Sequence, residues 1–360
     1  MIKRILLVLP GVLITIALLG RLYMSYSAAR AINEAWLQGR RVGLLVKTET
    51  RDDVLPAVAK GNTGRALKMY SASISLMPAD GSLFVTDLPV ESAFDRLDLS
   101  KIKPAGLKLA KERLKQYDQA FELLEKGAAT NYRLTLDQQF LPDVNRRLRD
   151  IDPLGLEYGG RSFSGHWSLQ ALLHDRTYVF LAEGSANEAM RQAIIALRLL
   201  DYSAAHRRIY AENTRQAFLV KIANTISHIA ENHKPSLELC QTALDSLQAV
   251  PYWEAMRSAV QGSTYDDFVS LYEKEGQSQF WKPWETMKQA NYLQHMASFY
   301  EKLKQVEELA KKGEAWGAAM EDISANYYVK GVFQDSVNAR VALDLAMLRV
   351  AQPILTHRTM

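Results

Sequence analysis

From about Lys103 to the C-terminus, apolar residues recur three or four positions apart, the spacing of one face of an α-helix. Leu107, Leu109/Ala110, Leu114, Tyr117, Ala120/Phe121 and Leu124 form a first stripe, with Gly127 as its expected stop. Leu169, Leu172, Arg176, Val179 and Phe180 mark a second helix ending at Gly184. Ser185, three residues before Glu188, predicts a capping box opening a third helix with Ala189, Ala193, Ala196/Leu197 and Leu200 on one side. Phe218, Ile222, Ile226 and Ile229 predict a helix over 212–232. Ser236 then caps one carrying Leu237, Cys240, Leu244 and Leu247. Two short helices are expected at 252–261 and 264–275, the second opened by Thr264-Tyr265-Asp266-Asp267. A long helix spans 284–312 and stops at Gly313, and a last one covers 333–351 and stops before Pro353.

Residues 40–101 carry no such period. Val42–Val46, Ser82–Thr86 and, further on, Leu134–Phe140 have some extended character, but none alternates cleanly enough for a sheet. The expected fold class is therefore all-α: an N-terminal transmembrane helix followed by an irregular helical bundle or short α-solenoid. The expected division is an anchor or signal at 1–27, an irregular membrane-proximal segment at 28–101 and a helical domain at 102–360.

The N-terminal expectation rests on Ile5–Gly20, ILLVLPGVLITIALLG, which follows Lys3-Arg4 and carries no charge. Continued past Arg21 to Met24, it is about 20 residues long, enough for a bilayer core of roughly 30 Å. Arg21 can snorkel at the far end, level with Tyr23 and Tyr26, and Lys3 and Arg4 hold the N-terminus inside. Residues 5–24 thus take the lipid bilayer as partner, and the body is exported. A cleaved signal peptide shares these features, with Ser25-Tyr26-Ser27 as a small-x-small site before Ala28. The length of the apolar run and the intervening Arg21 favour an anchor. A buried core helix is a third reading.

Charge sharpens this picture. The formal net charge is +4, but the first thirty residues hold Lys3, Arg4, Arg21 and Arg30 and no acid. The remainder is electrically balanced, with 40 acidic residues against as many basic ones. Such a body has no excess with which to bind a polyanion, so no nucleic-acid partner is expected. The single cysteine, Cys240, excludes an internal disulfide and reads as a small buried hydrophobe.

Candidate chemistry is sparse. Gly159-Gly160-Arg161-Ser162-Phe163-Ser164-Gly165-His166 has the glycine spacing of a phosphate loop, but His166 and Trp167 stand where Lys and Ser/Thr are required. It also lacks the last glycine of a G-x-S-x-G elbow, and reads as a loop before a helix. No H-E-x-x-H occurs among the seven histidines. His228 and His233, five apart, are expected on different helix faces, and His228 with Glu231 is an isolated pair. Asp150, Asp152, Glu157, Glu183 and Glu188 leave open a polysaccharide hydrolase, although no acid pair stands out. No catalytic, cofactor-binding or metal-ligating residue is assigned. Tyr252, Trp253, Phe280, Trp281 and Trp284 form an aromatic cluster. It reads first as a seal on helix packing and second as a platform for a protein partner formed by Phe280, Trp281 and Trp284.

The anchor, YDQAFELLEKGAATNYRLTLD, LAEGSANEAMRQAIIALRLL and AFLVKIANTISHIAE occur in an order that resembles uncharacterised, membrane-anchored helical bacterial envelope proteins. The second of these segments resembles a tetratricopeptide turn and second helix. The resemblance covers about residues 1–250 and implies a tethered all-helical body with no activity to carry over. The resulting expectation is an extracytoplasmic scaffold or binding protein. A hydrolase, or a secreted soluble protein after signal cleavage, is the alternative.

Overall fold

The computed structural model describes residues 2–44, 69–70, 72–77, 104–129, 161–204, 209–275, 282–326 and 336–359. Among them are eleven helices and no strand. They are α1 (Ile2–Val42), α2 (Pro104–Lys115), α3 (Asp118–Ala128), α4 (Arg161–Ala182), α5 (Ala186–Ala204) and α6 (Ile209–Asn232). There follow α7 (Leu237–Gln248), α8 (Tyr252–Glu275), α9 (Pro283–Lys311), α10 (Gly317–Asn326) and α11 (Ser336–Thr359). The all-α class with an N-terminal apolar helix is thus the observed one. The extended candidates at Ser82–Thr86 and Leu134–Phe140 lie outside the described residues, whereas Val42 closes α1.

The chain divides into two compact units, 1–47 with 260–330 and 48–259 with 331–360. In the first, α1 packs along α9, and α10 follows on α9. Ala28, Ile32 and Ala35 of α1 are buried, as are Leu293, Ala297, Tyr300 and Leu303 of α9. Small side chains at 28 and 35 let the two backbones come close. Gly43 (φ +82°) turns the chain at the end of α1. The Leu44 N–H donates to the Gly39 carbonyl at 2.9 Å, and Leu44 is buried behind the turn. Gln261 Nε2 donates to the Gly43 carbonyl (2.8 Å) and to Tyr300 Oη (2.9 Å), and Lys304 Nζ donates to the Val42 carbonyl (3.2 Å). These side chains satisfy carbonyls that the helix end leaves without a partner.

In the second unit α4, α5 and α6 pack in sequence, α7 lies against α5, and α11 lies along α6 and α7. The predicted stripes face this core: Ala189, Ala193, Ala196, Leu197 and Leu200 of α5 are buried, with Ile222, Ile226 and Ile229 of α6. Gly184 (φ +76°) ends α4 as expected. The Ser185 N–H donates to the Phe180 carbonyl at 2.8 Å. That donor is the one Glu188 would reach in a capping box, and the Glu188 carboxylate instead pairs with Arg191. Ser236 does cap α7, accepting from the Leu239 N–H at 3.4 Å, and its own N–H donates to Asn187 Oδ1 at 2.8 Å.

Several boundaries differ from the sequence reading. α3 ends at Ala128, one residue past the stop expected at Gly127; Gly127 is itself helical, and a Cβ there would sit 2.8 Å from Tyr70 Cε1, where Tyr70 crosses. Positions 161–166, expected as loop, form the first turns of α4, and Gly165 lets the Ile74 carbonyl approach (3.0 Å from an added Cβ). The two short helices at 252–275 are one, α8: Thr264 Oγ1 bonds back to the Val260 carbonyl at 2.7 Å instead of capping. Pro353 lies within α11, because the helix resumes beyond the missing N–H.

Gly127→Ala is expected to lower stability by about 1–2 kcal/mol, overpacking against Tyr70 outweighing the gain in helix propensity. A lower urea midpoint would show it, whereas an unchanged or raised midpoint would contradict the close approach. Gly20→Ala, with no neighbour within 4 Å, should not lower the midpoint.

Candidate functional site

The described feature with the plainest functional chemistry is the first part of α1. Val12, Leu13, Ile14, Ile16, Leu18, Leu19 and Leu22 are all exposed, Leu19 to 61%. Water penalises such a surface at ~25 cal/mol per Å² of apolar area. The helix is long and apolar enough to cross a bilayer. Its exposed face ends where burial begins: Tyr26 is 69% exposed and Ala28 is 2% exposed. No break separates the two parts. At 41 residues and about 1.5 Å per residue, α1 is roughly 60 Å long.

Of the candidate aromatics, Phe280 and Trp281 lie outside the described residues. Trp284 occupies the first turn of α9 behind Pro283 and is 62% exposed, so it does not seal the packing. Tyr252 and Trp253 do: both are buried, in edge-to-face contact at 4.9 Å between ring centroids.

The buried polar groups of the second unit were not legible beforehand. On α6, Glu212 and Arg215 form a fully buried fork, Nε to Oε2 at 2.7 Å and Nη2 to Oε1 at 2.8 Å, and Gln216 Nε2 donates to Oε1 at 3.0 Å. The Tyr252 hydroxyl donates to the Ser336 carbonyl, and the Arg340 guanidinium stands 5.8 Å from the centre of its ring. Burial, reinforced by the Glu212 charge, pushes the Tyr252 phenol far above its ordinary range. The fork and Gln216 lie within α6, and the Tyr252 hydroxyl ties α8 to α11.

A second polar group gathers on α4 and α6. Gln170, His174, Thr177, Phe218, Lys221 and Thr225 line a cavity of about 10 Å³, room for one water and far too small for an organic substrate. His174 stacks edge-to-face on Tyr178 at 4.2 Å. Burial, and secondarily the Lys221 charge, holds its imidazole well below the usual histidine range. Lys221 is lowered by burial against the opposing pull of Asp175, and burial pushes the Tyr178 phenol up to about 12. His166 and Trp167 are buried at the start of α4, with Trp167 stacked on Phe218 at 4.7 Å. The phosphate-loop positions thus serve packing.

The remaining candidates are engaged structurally. His228 and His233 do meet, ring centroids 5.2 Å apart, although they stand five residues apart at the end of α6. Asn232 Nδ2 lies 3.0 Å from His228 Nδ1, and Glu231 pairs with Arg349 at 2.9 Å. No group of three His, Cys, Asp or Glu side chains suited to a metal ion occurs among the described residues. Glu183 pairs with Lys111, and Asp150, Asp152 and Glu157 lie outside the described residues. Cys240 is fully buried, and burial raises its thiol.

Arg215→Met should cost about 3–5 kcal/mol by leaving Glu212 buried and uncompensated, and adding Glu212→Leu should recover most of that loss. Equal losses in single and double variants, read by urea titration, would contradict the coupling. For His174 the sign is acid-labile. Its folded-state pKa lies below the unfolded value, so its contribution is complete above about pH 6.5 and falls as pH drops towards the folded value. Wild-type stability should therefore decline from pH 7.5 to 5 more steeply than that of His174→Leu, and parallel curves would contradict this. Comparison with protein-family models, with curated proteins and with solved structures gave no match to this chain.

Proposed function

We propose that this chain is a single-pass membrane protein that holds a helical scaffold or binding domain on the extracytoplasmic side of a bacterial membrane. The observation that carries the reading is the continuity of α1, whose exposed apolar part runs without a turn into Ala28, Ile32 and Ala35, buried at 2%, 5% and 0% exposure. The basic pair Lys3-Arg4 precedes the apolar run and orients it with the N-terminus inside. Cleavage after Ser27 requires unwinding α1 at the residue where its packing begins, so the segment acts as an uncleaved signal-anchor.

Contacts that tie helices together support the scaffold reading: the Tyr252 hydroxyl bonds the Ser336 carbonyl, Arg176 bonds Glu125 and Gln192, and Glu183 pairs with Lys111. The α4–α5 hairpin, closed by Gly184, is the tetratricopeptide-like element, and a protein is the partner class such hairpins suit. Exposed Trp284 offers a rigid aromatic contact for one.

A reporter enzyme that is active only after export, fused behind Met360 of the full chain, is expected to be active in membrane fractions. Lys3→Glu/Arg4→Glu should reduce that activity by removing the positive flank. Activity confined to a reporter that works only in the cytoplasm would overturn the topology.

A further inference from the structure

Apolar residues of α11 lie on two opposite sides. Ala339, Leu343, Ala346 and Val350 are buried on the side that meets α6 and α7. On the other, Val341, Leu345, Leu348 and Leu355 are 47%, 43%, 68% and 60% exposed, and Gln352 is exposed between the last two. The series 341, 345, 348, 352, 355 steps by four and three in alternation, the a/d spacing of a short helix-pairing seam about two heptads long. Scattered exposed leucines are ordinary on a protein surface, but a continuous seam along one helix is not.

We propose that α11 pairs with α11 of a second copy of this chain as a parallel, in-register two-stranded coiled coil. In this register Leu345 and Gln352 occupy a positions, and Val341, Leu348 and Leu355 occupy d positions. Asp344 falls at g and Arg349 at e, five residues later. In a parallel pair, g of one helix faces e of the following heptad on its partner, so Asp344 meets Arg349 twice by symmetry. Antiparallel pairing sets g against g and e against e, which brings like charges together. Within the chain Arg340 bonds both Asp344 oxygens, at 2.8 and 3.1 Å, and Arg349 bonds Glu231 at 2.9 Å. A carboxylate and a guanidinium each keep bonding capacity beyond one such partner. Gln352 places one polar layer in the seam, a device that fixes register at some cost in affinity. The occupant is a second copy because the charge pattern is complementary to itself.

The test is oxidative crosslinking of the full chain in its membranes. Fully buried Cys240 serves as a silent background. Leu348→Cys should form a covalent dimer at least about tenfold more than the exposed control Glu238→Cys, and adding Leu345→Asp should cut that yield about tenfold by placing a charge in the seam. Leu345 is exposed, so the variant should keep the helical circular dichroism of the parent. Val341→Cys should crosslink to itself. Preferential crosslinking of Val341→Cys to Leu355→Cys in a mixture would overturn the parallel arrangement. A Leu348→Cys yield no higher than the control, or a product containing a different polypeptide, would overturn self-pairing.

Discussion

The contact between α1 and α9 is the constraint on which the functional reading depends. An apolar segment at a chain's N-terminus is compatible with several fates, and composition does not choose among them. Packing adds that the second part of this helix is buried along α9 in the same compact unit. Ala28 and Ala35 admit α9 closely, Ile32 fills the space between, and Leu44 closes the turn after Gly43. Gln261 and Lys304 then take up the carbonyls of Gly43 and Val42. The same helix that exposes apolar side chains at residues 12–22 is thereby a structural member of the first unit.

The second unit is built differently. Its helices are held by apolar stripes with small residues at the crossings, but charged groups are buried among them. Glu212 and Arg215 sit side by side on α6, and Tyr252 meets Ser336 and Arg340. Arg176 packs over Phe121 while bonding Glu125 (3.0 Å) and Gln192 (3.1 Å), so one guanidinium joins α3, α4 and α5. The Glu212–Arg215 pair lies within α6 and ties no two helices, whereas the Tyr252 and Arg176 contacts run between helices and would be lost if those helices shifted.

The sequence made helices legible wherever one stripe faces one core, as in α5 and α6, and wherever a terminal residue acts locally, as at Ser236, Gly184 and Gly313. It fell short where a residue's role is set by a distant segment. Gly127 and Gly165 look like stops or loops along the chain, but each makes room for residues about 55 to 90 positions away, Tyr70 and Ile74. Thr264 resembles a cap because its hydroxyl and the following acids fit that role, whereas in α8 the hydroxyl turns back to Val260. The apolar residues of α11 face two ways, so the stripe alone did not show where the helix packs or that it runs past Pro353. The polar core of the second unit left no periodic signal, since Glu212, Arg215, His174 and Lys221 read as ordinary surface residues until the helices around them are in place. Of the described aromatics in the cluster, Tyr252 and Trp253 are buried as the packing reading expects, whereas Trp284 stands exposed.

Continuity of α1 is tested most directly by the intact mass of the chain extracted from its membrane. The account predicts a polypeptide that still carries residues 1–27 joined to the domain they enter. A mature form beginning at Ala28 would contradict it, because the helix would then have been opened at the first residue of its packed part.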